Sequence, residues 1–128
     1  MLHHVSIEVD PADADAFGQL LGAIGFEFLE SPDPLGDAVR WYESDGTQVH
    51  LILTEAATAP VLGHAAFVAP DFDATLAAIG ELGHEVQEAR ELWGERRAFV
   101  LAPSGQGAAE LIPAFCGSAA NLPRRYST

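Results

Sequence analysis

The sequence predicts an α+β protein in which two tandem βαβββ modules form curled mixed sheets around a metal-containing cavity. Three observations predict this fold: a segment pattern that occurs twice, strands that alternate apolar and polar residues, and ligand-type side chains at matching places in both copies. A chain of 128 residues, 48% of them hydrophobic, is long enough to bury one core. We divide it into a first module (1–56), a connector (57–63), a second module (64–115) and a C-terminal tail (116–128).

The first module opens with "HVSIEVDPADADAFGQLLGAIGFEFLES" and the second with "HAAFVAPDFDATLAAIGELGHEVQEAR". In both, an alternating strand leads through a Pro/Asp break into a helix whose apolar residues recur at helical spacing. Each helix ends at a glycine, Gly25 or Gly83, for which we expect a positive φ, and a strand follows. Two more strands complete each module, around turns that we expect at Asp45–Gly46 and Ser104–Gly105.

The charge composition excludes several classes of function. The formal net charge is −13, with 19 acidic and six basic side chains, and all six basic residues are arginine. Without lysine there is no Schiff-base catalysis, and without clustered positive charge we expect no nucleic-acid partner.

No apolar run approaches the roughly 18 residues of a membrane span, and the first residues do not resemble a signal peptide. We therefore expect a cytoplasmic protein with no membrane contact, and its single cysteine, Cys116, excludes an internal disulfide.

Four side chains suited to metal binding occupy matching places in the repeat. His4 and His64 are 60 residues apart, and so are His50 and Glu110. All four alternate with apolar neighbours, so they lie on the strand faces opposite the helices. A single histidine on such a face is more often a hydrogen-bonded packing residue, but packing gives no reason for the paired positions. The pattern favours a divalent-metal site with three imidazoles and one carboxylate, and it does not distinguish zinc, nickel, cobalt, manganese and iron. By strand parity we expect His3 to point away from His4.

These segments resemble the vicinal oxygen chelate superfamily, which includes glyoxalase I, methylmalonyl-CoA epimerase, fosfomycin-resistance enzymes, extradiol dioxygenases and bleomycin-resistance proteins. The resemblance covers residues 2–114 and rests on "HHVSIEV", "LGAIGFEF", "TQVHLIL", "GHAAFVAPDFDATLAAI" and "RRAFVLAPSGQGAAELIP". It implies paired βαβββ modules with the metal held by the first and last strands of each module. On this chain those ligands are His4, His50, His64 and Glu110.

The sequence departs from the family pattern at three places. Position 50 is histidine, where glyoxalase I and related isomerases have glutamate or glutamine, which weakens an assignment to glyoxalase I. "LAPSGQGAAEL" lacks the aspartate of the frequent D-P-D-G-N turn and is one residue longer before Glu110. Gln19–Leu20 replaces an aromatic pair often found on the first helix. None of these differences removes a ligand.

The chemistry that the resemblance implies is chelation of a small oxygenated substrate through two adjacent oxygens, which stabilises an enolate and requires a base. Glu110 and Glu8 are the candidate catalytic carboxylates, and Glu8 reads equally as a solvated rim residue. The side chains that we expect to line the cavity and bind substrate are Arg40, Trp41, Trp93, Arg97 and Phe99. Strand parity does not decide which of Arg40 and Trp41, or of Arg97 and Phe99, face inward.

Three functions remain open on the sequence alone: a glyoxalase-like metal-dependent lyase or isomerase, an extradiol-type Fe(II) dioxygenase, and a non-catalytic binding or antibiotic-resistance protein. The dioxygenase would use a subset of two histidines and Glu110, and a fourth ligand would occupy a position that oxygen and substrate need. Bleomycin-binding members of the superfamily lack the metal ligands, whereas this chain has all four. The resemblance also allows the cavity to form across a dimer interface, and we expect a homodimer that binds a small molecule.

Overall fold

The computed structural model describes residues 2–31, 36–58, 63–92, 94–103 and 108–114. The α-helices in this part of the chain are α1 (Ala14–Ile24) and α2 (Phe72–Glu81). The strands are β1 (His4–Val9), β2 (Glu27–Leu29), β3 (Val39–Ser44), β4 (Thr47–Leu53), β5 (Ala65–Ala69), β6 (Glu85–Leu92), β7 (Glu95–Leu101) and β8 (Ala108–Pro113). Short 3₁₀ helices cover Pro11–Asp13 and Gly36–Ala38.

The strands form two four-stranded sheets with the same topology. The first sheet has the order β1-β4-β3-β2 and the second β5-β8-β7-β6. In each, the first strand runs parallel to the last strand of its module, and the remaining pairs are antiparallel. Each module is therefore β-α-β-β-β with a mixed sheet, which confirms the predicted fold of two tandem βαβββ modules.

The local turn and cap chemistry of the sequence explains where the elements end. Gly25 has a φ of 109° and Gly83 a φ of 95°, as expected for the left-handed residue that closes a helix. Asp45 and Gly46 both have positive φ, which a two-residue turn between antiparallel strands requires. The turn predicted at Ser104–Gly105 lies outside the described residues.

The two modules share one hydrophobic core. Buried residues of α1 and of the helix-facing side of the first sheet belong to the same cluster as buried residues of α2 and the second sheet. Phe26 and Phe67 make a direct contact between modules, with ring centroids 5.7 Å apart and nearly perpendicular planes. Because the helix-facing side of each sheet meets this core, the opposite sides of both sheets are turned away from it.

His84 is buried at the junction of the modules. Its ring Nε2 lies 2.9 Å from the carbonyl oxygen of Ala16 on α1, and its Nδ1 lies 3.2 Å from the carbonyl oxygen of Leu101 on β7. His84 is therefore a packing residue that connects α1 of the first module to β7 of the second. No described helix has the length and apolar character that a membrane span needs.

Candidate functional site

The first pair of predicted ligands comes from β1 and β4. These strands are parallel neighbours with Ser6 opposite His50, which brings His4 diagonally next to His50 on the face away from the core. The two imidazole rings stack with centroids 4.3 Å apart and planes 18° apart. Two of the four predicted ligands are thus in direct contact.

His50 is enclosed on the same face by its neighbours. Trp41, opposite it on β3, lies with its ring centroid 3.9 Å from that of His50. The Nε2–H of His50 donates to Oε1 of Gln48 at 2.9 Å, which leaves Nδ1 with a free lone pair. Burial, followed by the charges of His4 and His3, lowers the pKa of His50 below its ordinary value. A neutral imidazole is the form that binds a metal.

His3 does not point away from His4, so the parity prediction for it was wrong. Its Nδ1 lies 2.9 Å from Nδ1 of His4, and the rings meet edge to face with centroids 5.1 Å apart. His3 precedes β1, which begins at His4, so strand parity does not determine the direction of its side chain. With Nδ1 of His4 in this hydrogen bond, its Nε2 is the nitrogen open to a metal.

The second pair comes from β5 and β8. His64, the residue before β5, places Nε2 2.8 Å from Oε2 of Glu110. Phe99 is opposite Glu110 on β7, and its ring meets that of His64 edge to face at 5.0 Å. Arg97, two residues before Phe99 and so on the same face, holds Nε 3.4 Å from Oε1 of Glu110. Each oxygen of Glu110 therefore faces a different partner.

The two sheets place corresponding side chains in corresponding positions. In both modules a candidate ligand from the last strand lies against a histidine at or just before the first strand. In both, the residue opposite that ligand on the neighbouring strand is aromatic, Trp41 in one sheet and Phe99 in the other. The chain as described does not join the two pairs: no group of three or more His, Cys, Asp or Glu side chains within it is arranged to hold an ion.

The other predicted site residues fall into three groups. Trp41, Arg97 and Phe99 lie on the sheet faces that carry the candidate metal ligands, which we call the ligand-bearing faces. Of Arg40 and Trp41, only Trp41 does so, whereas Arg97 and Phe99 share one face. Arg40 lies on the helix side of β3, where it pairs with Asp15 of α1 at 2.6 Å, and this hydrogen bond raises the pKa of Arg40. Trp93 is outside the described residues.

Glu8 is on the His4 side of β1, but its carboxylate is engaged by the connector. Its Oε2 accepts hydrogen bonds from the backbone N–H of Thr58 at 3.1 Å and from the Thr58 hydroxyl at 3.0 Å. This contact attaches the residues after β4 to the first strand. The geometry therefore gives Glu8 a structural role beside the predicted catalytic one.

Sequence reasoning missed Gln48 and the contact of His3. Gln48 precedes His50 by two residues, so strand alternation alone places it on the same face, and its amide can fix the tautomer of the imidazole. The Asp45–Gly46 turn also determines the register of β3 against β4. A two-residue hairpin loop sets Ser44 opposite Thr47 and, counting back, Trp41 opposite His50.

No protein-family model and no curated protein matches the sequence. Solved structures do match it. A glyoxalase family protein from Bacillus anthracis superposes with a TM-score of 0.74 at 20% identity, covering 90% of this chain and 95% of that one. Lactoylglutathione lyase from Agrobacterium tumefaciens gives 0.62 at 15% identity over 89% and 93% of the two chains. TnmS3, an antibiotic binding protein from Streptomyces sp. CB03234, gives 0.64 at 20% identity over 90% and 96%.

The chain has the vicinal oxygen chelate fold. Solved structures with this fold include both an enzyme and a binding protein, so the vicinal oxygen chelate fold does not by itself decide between catalysis and binding. That choice depends on the side chains of the two ligand-bearing faces.

Proposed function

We propose that this protein is a divalent-metal-dependent enzyme with glyoxalase-like lyase or isomerase chemistry on a small substrate chelated through two adjacent oxygens. The observation that carries the proposal is the pair of donor groups in contact on each sheet, His4 with His50 and His64 with Glu110. Packing requires no such duplication, whereas a metal site built from two halves requires it.

The donor atoms of His64 and Glu110 fit a first-row divalent ion. At ligand bond lengths of about 2.1 Å, two atoms bound to one ion lie roughly 3 to 3.4 Å apart. Nε2 of His64 and Oε2 of Glu110 are 2.8 Å apart across a shared proton, so replacing the proton by an ion needs little movement. Three imidazoles and a carboxylate are a donor set suited to zinc, nickel, cobalt, manganese or iron.

Two copies of the chain bring the two pairs together in this proposal. The ligand-bearing faces are both turned away from the shared core, so each is open to a partner. Next to His64, β5 exposes apolar side chains on the same face, and Val68 is 50% exposed. A symmetric homodimer that covers this surface would place His4 and His50 of one copy beside the second pair of the other.

The chain's own residues have distinct roles in the proposed reaction. When bound, the metal supplies Lewis acidity that polarises a substrate carbonyl and favours loss of the adjacent proton. Glu110 is the proposed proton acceptor, because its side chain is only 13% exposed and its carboxylate contacts His64. Glu8 is the weaker candidate, since Thr58 already occupies one of its oxygens. Trp41 and Phe99 provide apolar surface for the organic part of the substrate.

Metal content tests the proposal. We expect purified protein to hold stoichiometric divalent metal by mass spectrometry, and we expect His64→Ala and Glu110→Gln to lose it, with metal affinity falling about 100-fold or more. Glu85→Gln is the matched control, because Glu85 is an exposed carboxylate on β6 outside both pairs. Protein that folds, takes up no metal and binds its ligands equally well with His64→Ala would instead be a non-catalytic binding protein.

A non-catalytic binding protein is the second candidate. The observation that favours it is that the candidate ligands of one described chain form two separate pairs and not one group of three or more. A binding protein could use the side chains of either ligand-bearing face without a metal. Its aromatic and charged side chains would then hold a small molecule directly. The metal measurement separates the two functions.

A further inference from the structure

Positive charge is scarce in this chain. Of the four arginines that the structure describes, two are paired with carboxylates on the helix side of their sheets, and Arg90 is an exposed residue of β6. Arg40 is paired with Asp15 of α1, and Arg96 with Asp73 of α2 at 2.9 Å and with Glu88. Both of these arginines connect a strand to its helix on the core side of the sheet. They are not placed to meet a ligand on the opposite face.

Arg97 is placed differently. It lies on the ligand-bearing face of β7 with a side chain that is 24% exposed, and its ion pair with Glu110 is long at 3.4 Å. Among the residues that the structure describes, none accepts a hydrogen bond from the buried Nε–H. A guanidinium carries five N–H donors, and nearly all buried polar groups in native proteins are hydrogen-bonded. Within the described part of the chain the Nε–H is therefore without an acceptor, and a bound anion would supply acceptors for the guanidinium.

Glu110 does not complete the pairing of Arg97. Its other oxygen is held by His64 at 2.8 Å, so the carboxylate cannot turn to meet the guanidinium with both oxygens. A carboxylate that binds a metal directs still less of its charge toward a neighbouring cation. The proposed function of Glu110 therefore increases the unmatched positive charge on Arg97.

The surface around Arg97 is apolar. Its Cζ lies 5.2 Å from the centroid of the Phe99 ring. Across the sheet on the same face lie Ile112 and the exposed side chain of Val68, which are opposite one another in the register. An apolar surrounding lowers the local dielectric and strengthens attraction between a cation and an anion.

We infer that Arg97 binds the anionic group of a small organic acid whose apolar part packs on Phe99 and Ile112. This deepens the proposed function, on which it rests, by naming organic acids as the substrate class. The planar guanidinium suits the two oxygens of a carboxylate or of a phosphonate. Specific pairing is needed because a net charge of −13 repels anions at longer range.

Calorimetric titration of the full-length protein with benzoate, phenylphosphonate and the uncharged isostere benzamide tests this assignment. We expect one or both anions to bind in the millimolar range, and Arg97→Gln to weaken that binding about tenfold or more. Arg40→Gln is the matched control, because it removes the same charge from the helix side, and it should bind the anions as the wild type does. Benzamide should bind poorly to all three proteins.

Several outcomes overturn the assignment: no anion binding to the wild type, equal binding to Arg97→Gln, or benzamide binding as tightly as benzoate. If Arg97→Gln does not fold, Arg97→Lys is used, which keeps the charge but not the planar fork, and it should show only part of the wild-type affinity.

Metal content is measured on the same samples, before and after chelation. Metal-loaded protein whose anion binding is unchanged by substitution of Arg97 refutes this inference alone. Metal-free protein that binds anions through Arg97 refutes the proposed enzyme but not this site.

Discussion

At His50, burial and neighbouring charge act on one titratable side chain. Burial is the larger cause of its lowered pKa, and the charges of His4 and His3 add to it. In the unfolded chain a histidine titrates near about 6.5. As the pH falls below that value, the unfolded state therefore takes up a proton before the folded state does, and the folded state loses stability relative to it.

We therefore expect metal-free protein to lose stability as the pH drops from about 6.5 through the lower pKa of folded His50, with no contribution from this group above about 6.5. His50→Gln removes the titration and should make the fall in the free energy of unfolding shallower over that interval. Urea unfolding at a series of pH values measures it. Parallel curves for the two proteins would show that His50 does not titrate differently on folding.

Individual residues of the site differ in how far the sequence could predict them. Alternation predicts that His50 and Glu110 lie on the faces of their strands away from the core, and the structure places both on those faces. The Asp45–Gly46 turn contains enough information to put Trp41 beside His50. His3 could not be predicted in this way, since it precedes the strand and its position depends on the ring of His4.

Two glycines of α1 differ in what surrounds them. A Cβ on Gly18 would overlap the hydroxyl oxygen of Tyr42, a buried residue of β3, whereas a Cβ on Gly22 would meet nothing within 4 Å. Gly18 is therefore a point of close approach between the helix and the sheet that carries His50 on its other face. Gly22 is exposed and has no such contact.

We expect substitution by alanine to have opposite effects on the free energy of unfolding at the two glycines. Gly22→Ala should stabilise the protein by up to about 1 kcal/mol, because alanine favours the helix. Gly18→Ala gains the same propensity but forces Tyr42 to move, and we expect a net loss of about 1 to 3 kcal/mol. Tyr42→Phe in the Gly18→Ala background should recover part of this loss by removing the overlapping hydroxyl. Chemical denaturation of the four proteins checks these values, and equal effects at both glycines would contradict the close approach.

The elements themselves were predictable because local signals agree with the global fold. The glycines after each helix, the alternating strands and the Asp45–Gly46 turn each specify one feature, and all of them appear. The link between modules has no such local signal. His84 occupies the place of Phe26 in the repeat, yet it joins α1 to β7 through two carbonyl contacts that no periodicity encodes.

At the scale of the whole molecule, the interval of 60 residues between matching ligands predicts two equivalent half-sites but not their relative position. Alternation specifies which face of a sheet is apolar, and one core shared by both modules satisfies that pattern. The same core turns both ligand-bearing faces outward. The single cavity expected from the sequence therefore stays a prediction, and it depends on how a second copy packs against the first.

Mixing two inactive variants decides whether the site is shared between copies. The first variant, His4→Ala with His50→Ala, lacks the first pair, and the second, His64→Ala with Glu110→Gln, lacks the other pair. In a mixed symmetric dimer one site combines both defects, while the other combines the two intact pairs, so each mixed dimer should bind one metal ion. We expect neither variant alone to bind metal, and we expect binding to return after they are unfolded and refolded together, as measured by mass spectrometry of the purified dimer. If each site lies within one chain, co-refolding restores nothing, and a monomer by light scattering would exclude the shared site directly.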